Sequence, residues 1–443
     1  MGNQANKKRI IVIGAGAAGL LAAGRAAEMG APSGFEVVLL ERMRQVGRKV
    51  RISGKGRCNI TNTLPTVEFI KHFNKRGKFL RQAMARFGSE DLISFLNGRG
   101  LKTKVERGGR IFPESDSAVE VAETLLAYAV DMGVEVITGA RVRGIDLSAG
   151  KISGVHYDRF EKDGKQGSGG DRGSEEITAS AVIVATGGKS YPATGSTGDG
   201  YDLVRAMGHT VTECRPSLVP LIAKGAPPEG VGYLNLRNIE ITLWIDGKLK
   251  AREFGELTFI KTGLSGPVIL EVSRIAVKAF DEGKSLELGL DLKPALDHKK
   301  LDARLMRDLE NQELPTWGDL LAGLLPAKLI PPALNILEVP VDKPRHQVTG
   351  PERKALRNWL KDWRFPITGY GSFKEAIVTA GGVDLKEVDP RTLESKLIPG
   401  LYLVGELLDL DADTGGYNMT GAFSTGWVCG EAAAAALNDG VSA

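Results

Sequence analysis

The chain has 443 residues, 42% apolar and 25% charged, which is enough to bury a substantial core and to form two or three domains. Its 58 cations and 54 anions leave a formal net charge of only +4, a total that by itself points to neither a nucleic acid nor a membrane surface. Three scattered cysteines, Cys58, Cys214 and Cys429, exclude a disulfide framework, and the isolated His72, His156, His209, His298 and His346 form no short-range metal motif, so no metal is expected and a cytoplasmic setting is the natural one.

In chain order, Lys7, Lys8 and Arg9 precede an apolar stretch over residues 10–24 that superficially resembles a signal peptide. Its glycines argue otherwise. Four β-branched residues, 10–13, run straight into GAGAAG at residues 14–19, the pattern of a buried strand meeting a tight turn. A helix over residues 17–29, a short loop with Pro32, Ser33 and Gly34, and a strand over 36–40 complete a βαβ unit of a parallel sheet.

Residues 67–97 read as helical, and 117–132 as a further amphipathic helix. Strands are expected over 134–137 and 142–147, and 161–174 reads as a flexible hairpin tip rich in glycine and charge. The apolar run AVIV at 181–184 ends in small residues and opens a glycine-rich loop that lasts to Gly200. A matching run, GLYLVGE at 400–406, is followed by a loop and a helical stretch over 421–437. Between these landmarks, alternating segments such as 239–245 and 286–292 predict a small β domain, and 296–363 is helix-like with prolines. The two ends of the chain therefore form one dinucleotide domain, with the middle inserted. No 18-residue apolar stretch predicts a membrane span.

The G-x-G-x-x-G pattern alone is a weak signal, but here a strand precedes it, a helix follows, and Glu41 ends the second strand. Gly14 would allow the sharp turn, Gly16 would let the backbone approach a pyrophosphate, and Gly19 would let helix and strand pack closely. The helix N-terminus would supply N–H groups and positive dipole to the phosphates, and Glu41 would accept bonds from the adenosine ribose. Flavin is favoured over nicotinamide because there is one such fingerprint, at the start of a long chain whose end returns with a second strand, loop and helix. Glu406 is then expected at the ribitol or pyrophosphate. The N-terminus of a helix beginning near Gly421 would stabilise negative charge on a reduced flavin.

Five segments carry a family resemblance: IIVIGAGAAG at 10–19, GRKVRISGKGRCNITN at 47–62, GRIFP at 109–113, ATGGKSYP at 185–192 and TGGYNMTGA at 414–422. Together they resemble the BaiN/RdsA family of flavoproteins, also called aminoacetone-oxidase-like. The resemblance implies an α/β fold with a Rossmann-like FAD domain of glutathione-reductase type, split over residues 1–208 and 364–443. It also implies an inserted β-barrel-like domain at 209–295 and a small helical domain at 296–363. Carried over to this chain, it places FAD against Gly14, Gly16, Ala17, Ala18 and Gly19, against Glu41, Arg42 and Lys49, and against Ser53, Gly54, Arg57, Cys58 and Asn59. The later contacts would be Thr186, Gly187 and Gly188, then Gly405 and Glu406, then Gly416, Tyr417, Asn418, Met419 and Ala422. The loop TGSTGDG at 194–200 also looks like one of the fumarate reductase and aspartate oxidase class, whose flavin-attaching members carry a Ser-His segment after the second strand. Arg42, Met43 and Arg44 stand here instead, so FAD is expected to be non-covalent.

The resemblance allows three activities: oxidation of small amines such as aminoacetone, reduction of steroid-type enones, and reduction of uridine to dihydrouridine in ribosomal RNA. A non-enzymatic flavin-binding protein that docks on RNA would instead show FAD without turnover. Residues 42–81 hold twelve cations, Arg42, Arg44, Arg48, Lys49, Arg51, Lys55, Arg57, Lys71, Lys75, Arg76, Lys78 and Arg81, against Glu68 alone. Such a field would draw an RNA, although some of these side chains would meet the FAD pyrophosphate and others Glu406, Asp409, Asp411 or Asp413. Reducing uracil needs a proton at C5, for which Cys58 is the first candidate, with Lys55 and Tyr417 behind it. No second fingerprint marks an NAD(P)H site, so a nicotinamide donor would bind transiently. His209, His298 and His346 read as satisfied or surface residues, and Trp359 and Trp363 as a packing pair on one helix face.

Overall fold

A computed structural model describes residues 8–30, 34–160 and 174–439, without the side chains of residues 74, 75 and 439. The loop with Pro32 and Ser33 and almost all of the hairpin tip expected at 161–174 lie outside the described residues. The chain forms two compact units, one from residues 1–216 and 377–443 and the other from 217–376.

The first unit is built on five parallel strands: β1 (Arg9–Ile13), β2 (Glu36–Glu41), β3 (Glu135–Thr138), β4 (Ala181–Val184) and β5 (Leu401–Leu403). Their order is β5-β4-β1-β2-β3, with Ile10 beside both Ala181 and Val37. Being central, β1 is covered on both faces, which is why its sequence is a continuous β-branched run and not an alternation. Ile10, Ile11 and Val12 are fully buried. Three helices cover this sheet region: α1 (Ala17–Gly30), α2 (Ala118–Asp131) and α3 (Gly415–Asp439). Small residues set their spacing. A Cβ on Gly24 of α1 would lie 2.5 Å from the Tyr128 ring of α2, and one on Gly426 of α3 would lie 2.3 Å from the Ala18 carbonyl oxygen of α1.

The continuous helix expected over 67–97 is broken into Thr66–Phe69, a 3-10 stretch Ile70–Leu80, Arg81–Arg86 and Ser89–Gly98. Gly88 interrupts it. The Gly88 N–H donates to the Asp91 carboxylate at 2.8 Å, capping a new helix while Phe87 leaves helical geometry with φ −147°. The last helix is longer than expected, starting at Gly415 and not near Gly421.

The second unit holds a closed six-stranded barrel, in the order Leu221–Ala223, Gly263–Ser265, Lys248–Ile260, Leu234–Ile245, Leu286–Asp291, Trp363–Tyr370. Leu221 pairs with Tyr370 and closes it. The helices of residues 296–363 share the barrel's apolar cluster through Leu301, Leu305, Trp317 and Leu356. They therefore do not form a core of their own. The segment expected to re-enter the dinucleotide domain at 364 is the closing barrel strand, and the first unit resumes at Ile377. Trp359 and Trp363 do pack together, with ring centroids 5.0 Å apart, but one lies in the last turn of a helix and the other begins a strand.

No helix among the described residues is long and apolar enough to cross a membrane, and no cluster of three or more His, Cys, Asp or Glu could hold a metal.

Candidate functional site

The three glycines after β1 are required for different reasons. Gly14 has φ +101°, and a Cβ there would lie 2.7 Å from the Ala185 carbonyl oxygen; its N–H donates to Leu40 O at 2.8 Å. A Cβ on Gly19 would sit 1.8 Å from Gly14 O. Gly16 differs, since a Cβ there would meet nothing within 4 Å. Two glycines serve the path and packing of the chain, and the third keeps a side of the turn open. That open side lies at the start of α1, beside Ala17 and Ala18, and the first turn of α1 carries no acid. Its N–H dipole is suited to an anion such as a pyrophosphate.

At the end of β2, the Glu41 carboxylate accepts the Ala15 N–H at 2.8 Å and the Met43 N–H at 2.7 Å. Burial pushes this carboxyl up, and the two backbone bonds pull it back. Each oxygen retains a lone pair that could take a ribose hydroxyl. Arg42 turns away to Asp199 at 3.0 Å, which Arg141 also meets at 2.8 Å. Burial alone would raise the Asp199 carboxyl, but Thr197, Arg42 and Arg141 hold it below the usual range.

Beyond β4, a Cβ on Gly188 would meet Thr379 Oγ1 at 2.4 Å and Glu406 Oε1 at 2.9 Å, and Gly187 has φ +73°. Glu406 already accepts three protein donors: Ser190 Oγ at 2.6 Å, the Thr379 N–H at 2.9 Å and Lys49 Nζ at 2.5 Å. Its carboxylate thus clamps Lys49, which also donates to Ser190 Oγ. Gly405, with φ +68°, would press a Cβ to 3.0 Å from that of Ala18 and 3.8 Å from that of Ala422.

Residues 53–59 make an unusual turn. Gly54, Lys55 and Cys58 all have φ between 56° and 59°, and a Cβ on Gly54 would meet the Asn59 nitrogen at 2.9 Å. Ser53 Oγ donates to Val50 O, and Lys55 is exposed. Arg57 is directed to Glu106 and Asp116 and lies over the Phe112 ring. Cys58 is fully buried, and burial pushes its thiol up to about 11, with Ser53 offsetting part of the rise.

Two expectations follow for the thiols. With a thiol reagent at pH 8, Cys214 should react first in the folded chain, while the buried Cys58 and Cys429 stay protected. Rapid labelling of Cys58 would contradict this burial. Because the folded Cys58 pKa is raised above its ordinary 9.0, its stabilising contribution is present below pH 9 and is lost as pH rises towards 11. Alkaline unfolding followed with Cys58→Ala should show a shallower loss across that window.

The Asn59 side chain packs on α3, where a Cβ on Gly416 would lie 2.5 Å from Asn59 Nδ2. The start of α3 is tied down by Asn418, whose side chain bonds both the N–H and the carbonyl of Ala412. That anchor explains the early start of α3 and puts Gly416, Tyr417 and Asn418 in its first turn, with Met419 just after it. Tyr417 stacks on His72 at 3.8 Å and meets Phe69 edge-on. His72 Nδ1 lies 2.7 Å from Asp413 Oδ2. These two residues, 341 positions apart, formed no sequence signal.

A dinucleotide fits this arrangement on two observations. Gly16 leaves room where a Cβ would go, and Asn59 Oδ1 and Thr186 Oγ1 are buried with no hydrogen-bond partner among the described residues, which calls for an absent donor or acceptor.

The basic stretch is less bare than its sequence implies. Arg42, Lys49, Arg51, Arg57, Lys71 and Arg76 each meet a carboxylate, those of Asp199, Glu406, Glu123, Glu106 with Asp116, Glu68 and Asp409 respectively. The Lys75 side chain lies outside the described residues. Lys55, Lys78 and Arg81 are exposed.

The family model described as the HI0933-like protein Rossmann domain matches residues 8–432. A 3-dehydro-bile acid delta(4,6)-reductase of Clostridium scindens is 33% identical over 96% of this chain and 99% of its own length. A ribosomal RNA dihydrouridine synthase of Escherichia coli is 30% identical over 95% of this chain and 96% of its own. Among solved structures, a variant FrdA chain of Escherichia coli quinol fumarate reductase superposes with TM-score 0.51 at 17% identity, covering 97% of this chain and 70% of that one. That likeness concerns the fold.

Proposed function

This chain belongs to the HI0933-like Rossmann family and is an FAD-dependent oxidoreductase, and from that premise we propose that it reduces a carbon–carbon double bond conjugated to a carbonyl group. The observation that carries the reading is the start of α3. Two glycines and no acid open this helix, beside the orphaned Asn59 Oδ1, so its N-terminal dipole suits a group that gains negative charge on reduction. Both named relatives fit this chemistry: one is named for reducing a 3-dehydro bile acid, the other for making dihydrouridine. Each product has lost a double bond next to a carbonyl.

In this reading Gly14, Gly16, Ala17, Ala18 and Gly19 hold the pyrophosphate and Glu41 the adenosine ribose. Lys49, held by Glu406 and Ser190, lines the ribitol end together with Ser53, Asn59 and Thr186. Residues 416–419 hold the pyrimidine edge. Bound FAD supplies two-electron transfer, reloaded by a transient donor such as a reduced nicotinamide. Uridine in ribosomal RNA is a second reading of the substrate, favoured by the exposed Lys55, Lys78 and Arg81, which make no ion pair among the described residues.

The test is to reduce the flavin anaerobically and add, in separate samples, a 3-oxo-Δ4 steroid acid or ribosomal RNA, and to give a small amine to a third sample whose flavin is left oxidised, first without and then with air. Reoxidation by the steroid acid or the RNA supports the reading. The RNA must also show affinity that falls steeply with salt. If neither accepts electrons while an amine bleaches the oxidised flavin and releases peroxide, the protein is an oxidase and the reading is wrong.

A further inference from the structure

Saturating a carbonyl-conjugated double bond takes two electrons and two protons. One proton arrives with the electron pair at the carbon β to the carbonyl; the other must reach the α carbon from the protein as the π bond is lost. Among the groups first considered for that proton, Cys58 is sealed in the core with its thiol pushed up by burial, and Tyr417 has one face covered by His72 and meets Phe69 edge-on. Lys55 stands exposed in the left-handed turn.

We propose that His72 delivers the second proton and that Asp413 is its positioning residue, an inference that rests on the reductase reading. Imidazole is the side chain suited to giving a proton at neutral pH. The geometry fixes which nitrogen gives it. An ionised carboxylate can only accept, so the 2.7 Å contact with Asp413 Oδ2 puts a proton on His72 Nδ1 and assigns delivery to Nε2. Asp413 grips the residue twice, because its own N–H donates to the His72 carbonyl at 3.2 Å.

The ring is held in place on its face by Tyr417, which lies in the first turn of α3 next to Gly416 and hence next to Asn59. One turn further along the same 3-10 stretch, Arg76 meets the buried Asp409, so the segment is fastened to residues 409–413 at two points. Among the described residues, the charged groups tied to His72 or to its stretch of chain include Asp413, the Arg76–Asp409 pair and the Lys71–Glu68 pair. The step balances: imidazolium loses the Nε2 proton, the α carbon gains it, and the reductant is the reduced flavin. The product imidazole is the Nδ1–H tautomer that Asp413 already holds.

The test compares wild type, His72→Asn, His72→Gly and Asp413→Ala as FAD-loaded, pre-reduced proteins. Reoxidation by a conjugated substrate should fall by about 10²–10⁴-fold in His72→Asn, while reoxidation by ferricyanide, which needs no such proton, stays unchanged. Free imidazole should restore much of the rate to His72→Gly, and Asp413→Ala should lower the rate with little change in KM. A rate in His72→Asn within about twofold of wild type, or no rescue, would overturn the assignment. A separate arm needs no substrate. The ¹⁵N spectrum of the FAD-loaded wild type should show the neutral His72 ring protonated on Nδ1, and protonation on Nε2 would sink the proposal. Should no conjugated substrate reoxidise even the wild type, the reductase reading fails, and the spectrum still decides whether His72 is oriented as argued.

Discussion

Gly16→Val should purify as a folded protein that no longer retains FAD, whereas Gly19→Ala should not fold. The two positions are three residues apart in one turn, and their surroundings differ. At Gly19 the added carbon would lie 1.8 Å from Gly14 O, a backbone atom in the turn itself, and 3.2 Å from the Ala185 side chain. Neither can yield without parting α1 from the sheet. Overpacking of side chains commonly costs about 1–3 kcal/mol, and a clash with backbone at the centre of a parallel sheet exceeds that range, a large share of a typical stability of about 5–15 kcal/mol. At Gly16 nothing lies within 4 Å and φ is not positive. The valine side chain would instead occupy the open space through which, in the proposed binding mode, the pyrophosphate approaches the start of α1. The expected result is a melting curve close to wild type with FAD affinity weaker by roughly 100-fold or more, about 2.7 kcal/mol. Thermal unfolding alongside FAD fluorescence separates the two outcomes.

Gly426→Val is the second large effect expected, and it acts from the far end of the sequence. Helix α3 crosses α1 through Gly426 and Gly430, one turn apart. A Cβ at 426 would lie 2.3 Å from Ala18 O, and one at 430 would lie 2.5 Å from Ala22 O. The backbones approach so closely that Ala18, Ala22 and Ala26 are the side chains that fit between them. A valine should force the helices apart at a cost of about 3 kcal/mol, lowering the unfolding midpoint by roughly 5–10 °C. Because α3 also carries Gly416 and Tyr417 at its start, FAD retention should weaken with it. Equal stability of Gly426→Val and wild type in urea unfolding would contradict the close crossing.

The parts of this molecule that were legible in its sequence are those written in neighbouring residues. The strand, turn and helix over residues 10–30 follow from β-branched residues meeting glycines, and Glu41 follows from where the second strand ends. The break at Gly88 was missed because the apolar period of the two flanking helices continues across it, and only the Asp91 cap marks the restart. The early start of α3 was hidden by Gly415 and Gly416, poor helix formers that Asn418 and Asn59 nonetheless hold in place. Charge was legible only in part: Lys49 and Arg76 meet Glu406 and Asp409 of the acidic stretch, as the sequence suggests, whereas Arg57 looks bare in sequence and finds its carboxylates at residues 106 and 116. The His72–Asp413 pair belongs to the same class, brought together by the fold across most of the chain. Trp363 deceived in another way, since its spacing from Trp359 is helical while its backbone begins a barrel strand.

The cradle of Gly14, Gly16, Gly19 and Glu41, completed by Asn59, Thr186 and the start of α3, is the proposed seat of a flavin dinucleotide. Calorimetric titration of the flavin-free protein with FAD, FMN and NAD tests it most directly. One FAD should bind per chain, without a covalent link, and FMN and NAD should be unable to displace it. Failure of FAD to bind, or binding of NAD at equal strength, would contradict it.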